Sequence, residues 1–162
     1  MKILMVCLGN ICRSPLAAGI LQHKADEAGL VWEVDSAGTS TYHIGEPPHR
    51  LSRKVALQHG IDISNQRGSQ FVKEDMIRFD RIYAMDADNY ADIKRMSRDL
   101  WDAAKTDLIL NELQPGTNRE VPDPWYGDER DFEAVYQMLD EACGVVVEKF
   151  GRGGNGFTGN NG

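Results

Sequence analysis

The sequence predicts a single α/β domain built on a four-stranded parallel sheet with helices on both faces. Short apolar runs typical of buried strands alternate along the chain with segments of helical spacing. Such alternation is typical of a parallel sheet that is covered on both sides. The length of 162 residues suits one hydrophobic core rather than two.

Four segments have the character of strands. Residues 1–7 contain a continuous apolar run that Gly9-Asn10 ends abruptly. Residues 31–36 alternate apolar and polar side chains. The apolar-rich residues 81–85 and residues 106–110 complete the predicted sheet.

Helices are predicted between these strands. The first has Ser14 as its N-cap and Pro15 in its first turn, and Gly29 ends it. Two further helices are expected at residues 51–59 and 73–79, and another begins at Asp86, which we interpret as a structural residue that holds a loop or caps the helix. The last helix has an apolar face formed by Phe132, Val135, Tyr136, Leu139, Ala142, Val146 and Phe150.

Two segments rich in Gly and Pro are predicted to be irregular. Residues 38–50 form a surface loop, and residues 111–130 form the longest irregular stretch. We assign residues 1–150 to the folded domain. We expect residues 151–162, rich in Gly and Asn, to be a flexible tail, because so few apolar side chains cannot offset the entropy lost on ordering.

Composition excludes several classes of protein. The formal net charge of −7 repels polyanions, which argues against binding to nucleic acid. No apolar stretch approaches the length of a membrane span, so we expect no membrane association. Three cysteines are an odd number in a chain that needs no disulfide framework, and reduced thiols indicate the cytoplasm. The four histidines lack zinc-site spacing, so no metal is expected.

The sharpest motif lies between the first strand and the first helix, in the run CLGNICRSP. Backbone N–H groups that converge just before a helix form an anion site, so we predict that phosphate binds to the loop of Leu8, Gly9, Asn10, Ile11, Cys12, Arg13 and Ser14. The same field stabilises a thiolate at Cys7. Arg13 supplies a planar fork for two phosphoryl oxygens, and Ser14 is placed to hydrogen-bond the sulfur. These residues predict nucleophilic catalysis at phosphorus through a phosphocysteine.

A thiolate that attacks a phosphomonoester also needs a proton donor for the leaving oxygen. Asp123, in the run DPWYGD, is the candidate, and Asp128 is the alternative carboxylate nearby. We predict that Trp125 and Tyr126 from this run, together with Tyr42 from the first loop, form the walls of the cleft. Aromatic walls suit an aryl phosphate.

These motifs together resemble the low-molecular-weight protein tyrosine phosphatase family from residue 2 to about residue 150. The run CLGNICRSP matches the family's phosphate-binding signature, and Ser36-Ala37-Gly38-Thr39 resembles its second motif. Ala84-Met85-Asp86 with Asn89 resembles its third motif, and Asp123-Pro124-Trp125-Tyr126-Gly127 resembles its general-acid loop. The four motifs occur in the family's order. The resemblance implies that Cys7 is the nucleophile, Arg13 the phosphate clamp and Asp123 the general acid and base, with no metal or cofactor. It also implies that Cys12 can form a reversible disulfide with the oxidised nucleophile.

The expected activity is hydrolysis of phosphotyrosine, in phosphotyrosine-containing proteins or small aryl phosphates, by a monomer or weak dimer. An arsenate reductase on the same fold is one alternative, but it relays a disulfide through further cysteines, and none lies between Cys12 and Cys143. We interpret Cys143 as a packing residue. A sugar-transport phosphocarrier leaves Arg13 and Asp123 unexplained, and a non-catalytic phosphate-binding module needs neither Cys7 nor Asp123.

Overall fold

The apolar run near the amino terminus forms the central strand, β1 (Lys2–Cys7). In the computed structural model, which describes residues 1–155, β1 pairs on one side with β2 (Glu33–Gly38) and on the other with β3 (Arg81–Ala84). The fourth strand, β4 (Thr106–Leu108), pairs with β3. All three pairings are parallel and the strand order is β2-β1-β3-β4, which confirms the predicted sheet.

Side chains of β1 alternate between two hydrophobic cores, as the geometry of a strand requires. Ile3 and Met5 belong to the core on one face, and Leu4 and Val6 to the core on the other. The first core is completed by α1 (Arg13–Glu27), α2 (Arg50–Gln58) and α5 (Glu129–Asn155). The second core is completed by α3 (Asp75–Arg78) and α4 (Ala87–Ser97). Helices therefore cover both faces, as predicted.

Several element boundaries differ from the sequence-based prediction. Val31 is 95% exposed and precedes β2, which begins only where Glu33 pairs with Lys2. The fourth strand ends at Leu108, and the chain then forms a 3-10 turn over Ile109–Glu112. In place of a helix over residues 73–79, only the four residues of α3 are helical.

The last helix extends past the boundary expected from the sequence. It continues to Asn155, past residue 150, where the sequence predicts the end of the folded domain. Gly151 is buried, and a Cβ placed on it would lie 2.9 Å from Cδ1 of Leu30, so the end of α5 packs against the turn that follows α1. The rest of the predicted tail, residues 156–162, lies outside the described residues. None of the helices in the described part of the chain has the length and apolar character of a membrane span.

The carboxyl ends of three neighbouring strands meet at one edge of the sheet. Cys7 ends β1 beside Gly38, the last residue of β2, and Asp86 follows β3. In open parallel sheets this edge is where ligands bind. The fold therefore places the predicted phosphate-binding loop at this edge.

Candidate active site

The loop from β1 to α1 is held by the side chain of Asn10. Asn10 has a φ of 55°, in the left-handed region that Asn tolerates better than most residues. Its Nδ2 donates to Oγ of Ser14 and to Oγ of Ser36, each at 2.8 Å, and its Oδ1 accepts from the backbone N of Ser69 at 2.9 Å. Asn10 therefore ties the loop to the first turn of α1, to β2 and to the segment after α2.

Two glycines allow the loop to pack closely against its neighbours. A Cβ placed on Gly38 would lie 2.8 Å from the carbonyl oxygen of Leu8 and 3.0 Å from the backbone N of Asn10. A Cβ on Gly9 would lie 3.1 Å from Cδ2 of His43. The first contact involves main-chain atoms that cannot rotate away, so position 38 requires glycine for steric reasons.

Cys7 lies at the base of the loop with 2% of its surface exposed. Its Sγ is 3.1 Å from Oγ of Ser14, which accepts a hydrogen bond from Asn10. The hydroxyl proton of Ser14 can therefore be directed at the sulfur, or at the carbonyl oxygen of Ala37 at 3.4 Å. A serine hydroxyl beside sulfur stabilises a thiolate more than a thiol.

The capping prediction for Ser14 is wrong. The helix α1 begins one residue earlier, at Arg13, and its N-cap residue, Cys12, makes no side-chain capping bond. The Ser14 hydroxyl is engaged by Asn10 and Cys7 instead of by the helix N–H groups. The predicted contact of Ser14 with the sulfur is therefore present, and the predicted helix cap is not.

Arg13 begins α1, and its side chain is 3% exposed. Nη1 donates to Oδ2 of Asp86 at 2.7 Å and to the carbonyl oxygen of Val121 at 3.0 Å, and Nη2 lies 3.8 Å from Oδ2 of Asp123. Burial opposes the charge on the guanidinium, but its interactions with Cys7, Asp86 and Asp123 outweigh burial and raise the pKa of Arg13. The guanidinium is therefore charged and fixed by protein groups alone.

The carboxylate of Asp86 serves two partners. Its Oδ1 accepts from the backbone N of Asn89 and completes a capping box at the start of α4, as interpreted from the sequence. Its Oδ2 accepts from Arg13, a contact that the sequence motifs do not predict. The adjacency of β3 and β1 in a parallel sheet is the signal that could have revealed this pair, because residues after adjacent strands meet at one edge.

The two carboxylates of the DPWYGD run have different surroundings. Asp123 is half-exposed, lines the cavity beside Arg13, and accepts from the backbone N of Trp125 through Oδ1 at 3.1 Å. Asp128 accepts from the backbone N of Arg130 at 3.0 Å, as a helix cap does, and pairs with its guanidinium at 2.9 Å. The hydrogen bond from Arg130 lowers the pKa of Asp128. Of the two, only Asp123 faces the cavity.

The cavity at this edge has a volume of about 350 Å³. The predicted wall residues stand at its mouth, where Tyr42 is 79%, Trp125 40% and Tyr126 98% exposed. His43 also lines the cavity and was not singled out from the sequence. The lining comprises Cys7, Leu8, Gly9, Ile11, Cys12, Arg13, Tyr42, His43, Asp123, Trp125 and Tyr126.

Cys12 and Cys143 are buried thiols with a raised pKa. Burial, assisted by the charges of Cys7 and Asp123, raises the pKa of Cys12 to about 12. Burial likewise raises the pKa of Cys143 to about 12, and its sulfur lies 3.7 Å from the carbonyl oxygen of Ala17 in the α1–α5 interface. Within residues 1–155, no group of three or more His, Cys, Asp or Glu side chains could hold a metal ion.

Comparisons with known proteins identify the family of this chain. The family model for low molecular weight phosphotyrosine protein phosphatase matches residues 2–154. The Synechocystis protein slr0328, assigned to the low molecular weight protein-tyrosine-phosphatases, is 42% identical over 94% of this chain and 98% of its own. The human low molecular weight phosphotyrosine protein phosphatase is 38% identical over 91% of this chain and 94% of its own.

Solved structures give the same result. The crystal structure of YfkJ from Bacillus subtilis has a TM-score of 0.86 at 33% identity, and the match covers 93% of this chain and 94% of that one. The resemblance noted from the motifs is thus confirmed over nearly the whole sequence, on an independent fold comparison. The chain belongs to the low molecular weight phosphotyrosine protein phosphatase family.

Proposed function

We propose that this enzyme hydrolyses aryl phosphomonoesters, chiefly phosphotyrosine, through a phosphocysteine formed at Cys7 without a metal. The observation that carries the proposal is that Cys7, Arg13 and Asp123 line one cavity, with Asp123 3.8 Å from Nη2 of Arg13. A nucleophile, a cationic clamp and a proton donor are the three groups that this displacement needs.

In the first step, the thiolate of Cys7 attacks phosphorus and the bond from phosphorus to the aryl oxygen breaks. Asp123 gives its proton to that oxygen, so the product leaves as a neutral phenol. Arg13 binds phosphoryl oxygens in the ground state and stabilises the charge that spreads over them in the transition state. The result is a phosphocysteine and the Asp123 carboxylate.

In the second step, water attacks the phosphorus of the phosphocysteine and the sulfur–phosphorus bond breaks. Asp123, now a carboxylate, accepts the proton that the water loses. The sulfur leaves as a thiolate, and the Ser14 hydroxyl, 3.1 Å from it, stabilises that charge by donating a hydrogen bond. Inorganic phosphate is released and the starting state is restored.

The mouth of the cavity favours an aromatic ring on the substrate. Tyr42, Trp125 and Tyr126 offer exposed rings on its walls, and a phosphotyrosine side chain can lie between them while its phosphate reaches Cys7. The proposed substrates are phosphotyrosine-containing proteins and small aryl phosphates. The proposed place of action is the cytoplasm, where thiols stay reduced.

Cys12 has a proposed protective role. Mild peroxide oxidises the Cys7 thiolate to a sulfenic acid, and attack by the Cys12 sulfur then forms a disulfide and releases water. Both sulfurs belong to residues that line the same cavity. Mass spectrometry after mild peroxide treatment tests this role, and the absence of a linked Cys7–Cys12 peptide would reject it.

The activity is tested by hydrolysis of para-nitrophenyl phosphate at mildly acidic pH, with EDTA present. The wild type is compared with Cys7→Ser and with Cys143→Ser, whose cysteine lies in the α1–α5 interface and not in the cavity. We expect turnover in the wild type and in Cys143→Ser, and none in Cys7→Ser. Circular dichroism establishes that each variant is folded.

Other outcomes separate the alternatives. An inactive wild type that still binds inorganic phosphate indicates a binding module or phosphocarrier. Arsenate reduction that requires Cys143, in place of phosphatase turnover, indicates an arsenate reductase. Turnover that EDTA abolishes contradicts the metal-independent mechanism.

A further inference from the structure

His43 lies between the two segments that form the cleft, and the proposed chemistry does not use it. Its ring centroid is 5.5 Å from that of Trp125, with the planes inclined by 40°. On its other side the ring packs against the phosphate-binding loop, where a Cβ on Gly9 would lie 3.1 Å from Cδ2 of His43. His43 therefore connects the phosphate-binding loop with the segment that carries Asp123.

The orientation of the His43 ring is fixed by a carboxylate. Nδ1 lies 3.1 Å from Oε1 of Glu46, and an ionised carboxylate only accepts hydrogen bonds, so Nδ1 carries the proton. The main chain of His43 and Glu46 is fixed as well. The backbone N of Glu46 donates to the carbonyl oxygen of His43, and Gly68 donates to that of Glu46. Any side chain at position 68 would overlap the carbonyl oxygen of His43.

Trp125 is held from a second side by another imidazole. The ring of His49 lies 5.5 Å from the indole in an edge-to-face arrangement, and it stacks on Phe132 of α5 at 4.8 Å. His49 also accepts from the backbone N of Leu51 at the start of α2. The indole thus lies between two histidines that are themselves anchored to the fold.

The contact extends from Trp125 to Asp123 through a hydrogen bond of the Trp125 main chain. The backbone N of Trp125 donates to Oδ1 of Asp123 at 3.1 Å, so the position of the tryptophan fixes the direction of the carboxylate. Asp123 is half-exposed, and Nη2 of Arg13, at 3.8 Å, is too distant for a strong hydrogen bond. The indole is therefore a principal constraint on where the carboxylate lies.

We propose that His43, oriented by Glu46, is a positioning residue that holds Trp125 and thereby keeps Asp123 over the phosphate-binding loop. This inference rests on the proposed role of Asp123 as proton donor. His43 then affects proton transfer to the leaving group and leaves the binding of the phosphoryl group unchanged.

The test compares two substrates that differ in their need for a proton donor. Para-nitrophenolate leaves readily without protonation, whereas phenolate does not. For His43→Ala, we expect kcat/KM to fall about tenfold with phenyl phosphate and less than about twofold with para-nitrophenyl phosphate. For Glu46→Gln, we expect a loss of about threefold with phenyl phosphate. His43→Phe, which keeps a ring against Trp125, is expected to recover most of the lost activity.

The chain contains a matched control, His59, that does not line the cavity. His59 stacks on Tyr136 at 3.9 Å and pairs with Glu133 at 3.0 Å, so it has the same kinds of partner as His43. His59→Ala is expected to leave the ratio of the two kcat/KM values unchanged. An equal change of that ratio in His59→Ala would show that the effect of His43→Ala is a general loss of packing.

The double variant His43→Ala/Asp123→Asn separates this inference from the proposed function. If Asp123→Asn alone retains full activity on phenyl phosphate, the proposed acid role of Asp123 is wrong, whatever the effect of His43→Ala. If Asp123→Asn is impaired, His43→Ala should cause no further loss in that background, because both changes remove the same function. An additive loss, an equal loss on both substrates, or a change in KM alone would overturn the positioning role.

Discussion

The two sides of the cleft are held in different ways. The phosphate-binding loop is fixed by buried and part-buried side-chain hydrogen bonds, and the Asn10 side chain donates two of them and accepts a third, each no longer than 2.9 Å. In the segment from Asp123 to Asp128, the carboxylate of Asp123 bonds to its own main chain two residues on, and the Tyr126 side chain is 98% exposed. Here ring contacts of Trp125 replace buried hydrogen bonds.

This difference indicates which functions are built into the fold and which depend on a few contacts. A network of satisfied buried hydrogen bonds is rigid, because any displacement leaves polar groups unpaired. An exposed segment held by aromatic packing can shift at lower cost. We therefore expect changes in the phosphate-binding loop to abolish activity or destabilise the fold, and changes in the acid segment to alter only particular steps.

The largest effect is expected for Arg13→Lys. A lysine ammonium is a point charge and cannot contact Asp86, the carbonyl of Val121 and two phosphoryl oxygens together, so kcat/KM for para-nitrophenyl phosphate should fall about 1,000-fold. Arg95→Lys, at an exposed position in α4, is the matched control and should change kcat/KM less than about twofold. Steady-state kinetics on both variants provides the measurement, and a loss below about tenfold for Arg13→Lys would show that charge suffices.

A smaller and more selective effect is expected for Asp123→Asn. Without a proton donor, kcat/KM for phenyl phosphate should fall about 100-fold, with a smaller fall for para-nitrophenyl phosphate. Asp128→Asn should keep nearly all activity and lower the melting temperature only slightly, because asparagine still caps α5 and only the exposed ion pair with Arg130 is lost. Equal losses of activity in the two variants would contradict the assignment of Asp123 as the proton donor.

An intermediate effect on both activity and stability is expected for Asn10→Ala. The variant loses three hydrogen bonds and places alanine at a positive φ, which should cost about 2–4 kcal/mol of stability and about tenfold in kcat/KM. Asn118→Ala is the control, since Asn118 also has a positive φ, of 56°, but is exposed and remote from the cavity. Chemical denaturation and kinetics should show destabilisation in both and lost activity only in Asn10→Ala.

The smallest effect is expected for Tyr126→Ala. Since the ring is almost fully exposed, its removal should leave the melting temperature unchanged and raise KM for aryl phosphates about threefold without changing kcat. Thermal denaturation and kinetics on para-nitrophenyl phosphate provide the measurements. A drop in kcat would mean that Tyr126 also helps to hold the acid segment.

The sheet could be predicted from the sequence, and so could the parts of the site whose residues are close in sequence. Apolar runs fix the strands, and the strand–loop–helix order places Cys7 and Arg13 at one point regardless of the rest of the chain. The ends of helices and strands were less predictable, because contacts with distant parts of the chain determine them. The helix α5 continues past its last apolar residue, with Gly151 packed against Leu30, and the Ser14 hydroxyl bonds to Asn10 and Cys7 in place of the expected cap.

The contacts between loops were beyond the reach of sequence patterns. Asp86 was recognisable as a helix cap, yet its bond to Arg13 arises only when β3 is placed next to β1. His43 lies in a loop without periodic residues, and it meets Trp125 across a separation of more than 80 positions. Neither local propensity nor hydrophobic spacing carries information about such a pair.

The fixed guanidinium of Arg13 has a consequence for the end of each reaction cycle. Because Asp86 and the carbonyl of Val121 hold it in place without a ligand, little entropy is lost when a phosphoryl group arrives. Free inorganic phosphate also binds with little loss of entropy, because it presents the same oxygens to Arg13. It carries no aryl leaving group, so it is not turned over. The enzyme is therefore open to inhibition by its own product, and its rate falls as phosphate accumulates around it.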